Sequence, residues 1–234
     1  MRQKWRQLLF LHWPVDPSVL RPLVPPELEL DLYDGVAYVG LVPFTMRGVR
    51  PVGLPAVAGL SNFHETNVRT YVRLGDCNPG VWFFSLDAAN PVAVTLARRL
   101  FHLPYHLARM LLEIEPSNSD TERAPILYAG TRLWPDPIPA SYALRAAPTS
   151  APTPAQPGTL EHFLIERYIL YSKFERSLFE GRVHHAPYPV QSATLLSIDE
   201  TLLAAAGIQR PALAPLAHFA RGVDVDIFAL QSAV

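Results

Sequence analysis

The sequence is poor in lysine and nearly free of cysteine. Of its 20 basic residues only Lys4 and Lys173 are lysine, and Cys77 is the single cysteine. One cysteine cannot form an intrachain disulfide, so the reducing cytoplasm is the natural compartment. The apolar run that follows Arg2, Lys4 and Arg6 spans only Leu8 to Leu11 before His12, Pro14 and Asp16, too short for a signal peptide. No run approaches the roughly 18 apolar residues of a membrane span. The chain is expected to be neither exported nor membrane-embedded. A formal net charge of −1 supplies no basic field, so neither nucleic acid nor an anionic membrane is an expected partner.

Familiar chemical motifs are missing too. There is no G-x-x-x-x-G-K, no G-x-G-x-x-G, no G-x-S-x-G and no cysteine ligand pair. His102 and His106 have the i, i+4 spacing of a metal pair on a helix, but Pro104 between them breaks any such helix. His184 and His185 read as surface or hydrogen-bonded histidines of a loop. No metal and no cofactor is expected.

What is present is a strand-rich pattern in 234 residues, 49% hydrophobic and 18% charged, read as one domain over residues 1–234. Leu8 to Trp13 is a short apolar strand, and Asp16-Pro17 starts a helix that Pro22 cuts to a turn or two. Asp34-Gly35 reads as the turn of a hairpin between Leu28–Leu32 and Val36–Phe44. Residues 47–59 read as a loop, Leu60 to Leu74 as the longest strand, and Val81 to Leu86 as another. Asn90-Pro91 caps a helix with Val92, Leu96, Leu100 and Leu103 on its apolar stripe and Arg98, Arg99 and His102 in its last turns. Ile126–Trp134 and Ile138–Arg145 form a further strand pair.

Residues 146–158, rich in Pro, Ala and Thr, read as an exposed loop. A helical turn at Leu160–Leu164, a strand at Glu166–Ser172 and a helix at Ser197–Ala206 stopped by Gly207 follow. The tail reads as two short strands about Arg221-Gly222. Trp13, Trp82, Phe83 and Phe84 are expected in the core, and Glu166 with Arg167 as a structural pair. The fold class is a β-rich α+β domain, a closed barrel with a few short flanking helices.

Three segments, in order, resemble the acetoacetate decarboxylase-like superfamily: HWPVDPSVLRPLVPPELEL (12–30), NFHETNVRTYV (62–72) and SLDAANPVAVTLARRLFHLPYHLA (85–108). Taken whole, through ETNVRTYV, GVWFFSLDA and ERY-x-LY, the chain is similar to the YqjF-like family, an uncharacterised branch. The resemblance implies the superfamily's β-barrel and matches its cavity glutamate to Glu65. The nucleophilic lysine and the lysine after it fall at Tyr105 and His106, on a turn after the helix. The arginine ahead of the first helix falls at Pro14, and a second glutamate near Val39. Tyrosine cannot form an imine, so Schiff-base decarboxylation does not carry over.

Period 2 puts Glu65, Asn67 and Arg69 on one strand face, with Arg69 about 13 Å along the strand from Glu65. On their own they also suit the solvated face of a half-buried strand; the resemblance implies a cavity. In that case Glu65 is the base, with its pKa raised by burial, and Tyr105 or His106 the acid. Asn67 and Arg69 would bind substrate, Arg69 as a carboxylate clamp. Three functions stay open: a non-covalent acid–base enzyme on a small carbonyl or carboxylate compound, a non-catalytic small-molecule-binding protein, and a structural or partner-binding role. A homo-oligomer is left open.

Overall fold

The computed structural model describes residues 1–116, 123–135 and 139–233. Its first elements are β1 (Arg2–Val15), α1 (Pro17–Leu20), β2 (Glu29–Leu30), β3 (Ala37–Arg50), β4 (Phe63–Leu74) and β5 (Cys77–Ala88). They continue with α2 (Pro91–Leu100), β6 (Tyr105–Ile114), β7 (Ile126–Trp134), β8 (Ser141–Pro148) and α3 (Leu160–Ile165). The last are β9 (Ile169–Phe174), β10 (Ser177–His184), β11 (Val190–Glu200), α4 (Leu202–Ala205), β12 (Leu216–Ile227) and β13 (Gln231–Ser232). Among the described residues no helix is long and apolar enough to cross a membrane.

All strands join one sheet of order β13-β10-β9-β5-β6-β7-β8-β11-β12-β1-β3-β4-β2. Pairing is antiparallel except where β5 meets β6 and β9. β4 also pairs with β5, and β10 with β12. The pairings therefore run in two circuits sharing β12, β1, β3, β4 and β5. One returns through β6, β7, β8 and β11, the other through β9 and β10.

Long stretches of β1, β3 and β4 are buried on both faces, which is why β1 reads as a continuous apolar run rather than an alternating one. Leu8 and Phe10 enter a first core with Phe44, Tyr71, Leu164 and Tyr188. Leu9, Leu11 and Trp13 enter a second core with Val68, Tyr128 and Leu144. Each such Leu or Phe contributes about 1.5–3 kcal/mol by leaving water.

The local stop and start signals act as read. Asp16 accepts from the Ser18 amide, and Asn90 from the amides of Val92 and Ala93. Asp34 and Gly35 both take positive φ, +49° and +79°, the requirement of a tight two-residue turn. The strand ahead of that turn is only two residues long, however, and pairs with β4 rather than β3.

Other expectations are corrected. β1 is far longer than Leu8–Trp13, and β3 runs through Arg50 into the expected loop. The stripe Val92, Leu96 and Leu100 of α2 is exposed, while Val94 is buried and Ala93, Ala97 and Phe101 face the first core. Residues 197–200 are strand, because β11 pairs with β8 as far as Glu200↔Tyr142. Only Leu202–Ala205 is helical, ended at Gly207 (φ +79°). The tail is one strand; Gly222 lets it pass, since a Cβ there would collide with the Trp5 carbonyl. β8 extends to Pro148, and Ala155 is buried within the otherwise exposed loop. The Ile138 start of the expected strand lies outside the described residues. Trp13 is core as expected, whereas Trp82, Phe83 and Phe84 are only partly buried.

Candidate functional site

Strand alternation on β4 sends Phe63 and Tyr71 into the first core and Val68 into the second. Glu65, Asn67 and Arg69 share the parity of Phe63 and Tyr71 and are buried, with Glu65 2% exposed and Arg69 9%. The parallel register Leu86↔Tyr105 between β5 and β6 then brings Tyr105 to the same core. Its hydroxyl donates to Glu65 Oε2 at 2.7 Å. From α2, Arg98 donates to the Tyr105 carbonyl at 2.6 Å and fixes the start of β6.

Burial pushes the Glu65 carboxyl up to about 8; the Tyr105 hydrogen bond opposes this and the Asp87 charge adds to it. Burial and the neighbouring Glu65 charge push the Tyr105 phenol well above its ordinary value. Among the described residues no cation pairs with Glu65. The pair is thus a mostly protonated carboxylic acid at neutral pH beside a phenol that keeps its proton.

At the other end of the row, Arg69 donates to the Leu164 carbonyl of α3 at 3.2 Å, with its guanidinium over the rings of Phe10 and Tyr71. It has no carboxylate partner among the described residues, and its Nε has no hydrogen-bond partner. Gly40 makes its room: a Cβ there would crowd His12 at 3.0 Å and Arg69 at 3.4 Å. His12 is fully buried, and its Nε2 meets the Tyr71 hydroxyl at 2.7 Å. Sequence reasoning missed His12, although a histidine inside the apolar run LFLHW was the signal.

His106 does not join this group. It follows Tyr105 in a strand, not a turn, and points the other way, paired in register with Asp87. There Asp87 and Arg132 form a buried ion pair at 2.9 Å, and Thr66 and Tyr142 share a hydrogen bond of 2.6 Å. Burial, then the charges of Arg132 and Arg98, lower the His106 imidazole to about 4 against the Pro135 carbonyl that favours its cation. Asp87 and Arg132 also escaped the sequence reading; the Asp in the apolar stretch SLDAA was the sign.

Glu166 and Arg167 do not pair with each other. Glu166 accepts from the Tyr168 hydroxyl and the Tyr188 amide, and Arg167 pairs with Asp31. Of the two histidines read as surface or hydrogen-bonded, His184 is exposed, and His185 is hydrogen-bonded to the Ala186 carbonyl and buried between the rings of Tyr168 and Tyr188. Lys173 lies in β9 and is bonded to Glu27, and Lys4 is exposed on β1. Among the described residues no cluster of three His, Cys, Asp or Glu side chains could hold a metal. Two surface clefts, of about 370 and 480 Å³, are lined by residues such as Tyr33, Phe163 and Arg167, and Trp82, Phe83 and Phe174; Glu65 lines neither.

The chain is 40% identical over 231 residues to the uncharacterised protein YqjF of Bacillus subtilis (strain 168), covering 99% of this chain and 91% of that one. Its structure resembles an acetoacetate decarboxylase-like enzyme from Sphingomonas wittichii RW1, with a TM-score of 0.65 at 14% identity over 99% of this chain and 92% of the other. It also resembles the enduracididine biosynthesis enzyme MppR complexed with pyruvate, with a TM-score of 0.66 at 12% identity over 99% and 90%. At these identities the likeness is one of fold. A model of the DUF2071 family matches residues 2–224, and the chain belongs to that family of uncharacterised conserved proteins.

Proposed function

We propose that the chain is a non-covalent acid–base enzyme acting on a small carbonyl or carboxylate compound inside a closed β-barrel. The observation that carries this is the 2.7 Å hydrogen bond from Tyr105 to Glu65 within a buried core. Ionised Glu65 removes a proton from the carbon beside the substrate carbonyl. Tyr105 then turns its hydroxyl from Glu65 to the carbonyl oxygen and stabilises the enolate that forms. The position that the resemblance assigns to an imine-forming lysine is held by Tyr105, so no covalent adduct enters the reaction. A fold neighbour complexed with pyruvate fits a carbonyl acid as the ligand.

The test is solvent deuterium exchange. Pyruvate, acetoacetate and 2-oxoglutarate are incubated in deuterated buffer with the full chain and followed by proton NMR. Exchange in excess of the protein-free rate should rise as pH passes about 8, where Glu65 ionises, and be lost in Glu65→Gln. An exchange rate unchanged in Glu65→Gln would overturn the assignment of the base.

A second reading, a non-catalytic binding protein on the same barrel, is favoured by Arg69. A buried guanidinium with no carboxylate partner among the described residues suits anion binding whether or not chemistry follows. Binding of these acids without exchange at any pH would select this reading.

A further inference from the structure

Two buried histidines have their tautomers fixed by their neighbours. The Tyr71 hydroxyl donates to the Leu164 carbonyl at 2.6 Å, and a carbonyl can only accept. The 2.7 Å contact between Tyr71 and His12 is therefore His12 Nε2–H donating to the phenol oxygen. His12 Nδ1 is left as a buried lone pair without a partner among the described residues. In His185 the roles are exchanged. Its Nδ1–H donates to the Ala186 carbonyl at 2.8 Å, and Nε2 is the buried lone pair without a partner. Asn67 Oδ1 is a further buried acceptor without a partner among the described residues, and Arg69 Nε two residues on is a donor in the same condition.

These groups are linked through shared neighbours. His12 and Arg69 both crowd the Cβ position of Gly40, and Asn67 precedes Arg69 on the same strand face. His185 lies 4.5 Å from the Tyr188 ring, Tyr188 meets Phe10 edge-on, and the Arg69 guanidinium lies over Phe10. Burial keeps both imidazoles neutral, so they offer acceptors rather than charge.

We propose that the ligand is a polyhydroxylated carboxylate, a sugar acid of about five or six carbons matched to the span of the β4 face. This rests on the reading of the Glu65–Arg69 face as a ligand chamber. The carboxylate meets Arg69, hydroxyls donate to His12 Nδ1, Asn67 Oδ1 and His185 Nε2, and the far end reaches Glu65 and Tyr105. The length follows from the strand, since four residues of extended chain separate Glu65 from Arg69 by about 13 Å before the side chains shorten the gap. A short keto acid offers the imidazole nitrogens no proton, and buried acceptors left unpaired weaken binding.

The test is isothermal titration calorimetry of the full chain with hexanoate, gluconate and glucuronate, which are matched in carbon number. Gluconate and glucuronate should bind at least about tenfold more tightly than hexanoate, the effect of one or more buried acceptors gaining a partner. His185→Phe should narrow that advantage while leaving hexanoate binding in place, and Arg69→Met should weaken all three. Hexanoate binding as tightly as gluconate would overturn the sugar-acid inference and leave the chamber standing. Binding of none of the three to the unaltered chain would overturn both. The unaltered chain decides the main question, so a variant that fails to fold does not.

Discussion

Tyr105 and Glu65 meet across two strands that do not pair with each other. Tyr105 opens β6 and Glu65 lies in β4, with β5 between them, yet the hydroxyl reaches Oε2 at 2.7 Å. The contact closes because Leu86 and Ala88 of β5 stand in register with Tyr105 and Glu65 respectively.

Glu65→Gln should stabilise the protein increasingly as pH rises. Below about 4.5 folded and unfolded chains both hold the proton; from there to about 8 only the folded chain does. The unfolded state then binds fewer protons, so native stability falls with rising pH by about 1.4 kcal/mol per unit for one proton. Gln cannot titrate. Denaturant midpoints at pH 5, 6.5 and 8 should show the variant gaining on the parent by a few kcal/mol in total, with the difference constant above pH 8. A large loss of stability in Glu65→Gln at every pH would instead mean a structural contact.

Tyr105→Phe removes the donor that favours the ionised carboxyl, so the Glu65 transition should move above its position in the parent. A double-mutant cycle with Glu65→Gln, read by chemical unfolding at pH 9, should give a coupling of about 1–3 kcal/mol, as for hydrogen bonds to a charged group. Coupling near zero would mean that the two side chains do not meet.

Arg132→Leu should destabilise by about 3–5 kcal/mol, because it leaves Asp87 buried without its cation. Adding Asp87→Asn should recover part of that loss and also lower the Glu65 transition, since the Asp87 charge raises it. Equal destabilisation in the single and double variants would show that the ion pair matters only through its shape.

Borohydride treatment with acetoacetate or pyruvate should leave no adduct on either lysine. Lys173 is held by Glu27 and Lys4 stands outside on β1. A mass increase mapped by peptide analysis to either residue would restore covalent chemistry.

Short-range signals were the legible part of the sequence. Asp16, Asn90 and the Asp34-Gly35 turn act within a few residues, so their meaning does not depend on what the rest of the chain does. What failed depended on distant partners. Residues 197–200 become strand only because β8 lies beside them, and the side of α2 that faces the core is set by the sheet beneath it. In the site, alternation correctly grouped Glu65, Asn67 and Arg69. The same alternation should have separated Tyr105 from His106, but a turn was expected where a strand begins. His12 and His185 carried no motif; the tautomer of His12 is set by the distant Tyr71 phenol and that of His185 by the adjacent Ala186 carbonyl.

The most direct measurement is a carbon-13 NMR titration of the Glu65 side-chain carboxyl, assigned by its loss in Glu65→Gln. The expected midpoint is about 8 in the parent chain, moved upward in Tyr105→Phe. A midpoint near 4.5, unmoved by that substitution, would mean a solvated carboxylate with no phenol beside it and would overturn the Glu65–Tyr105 site.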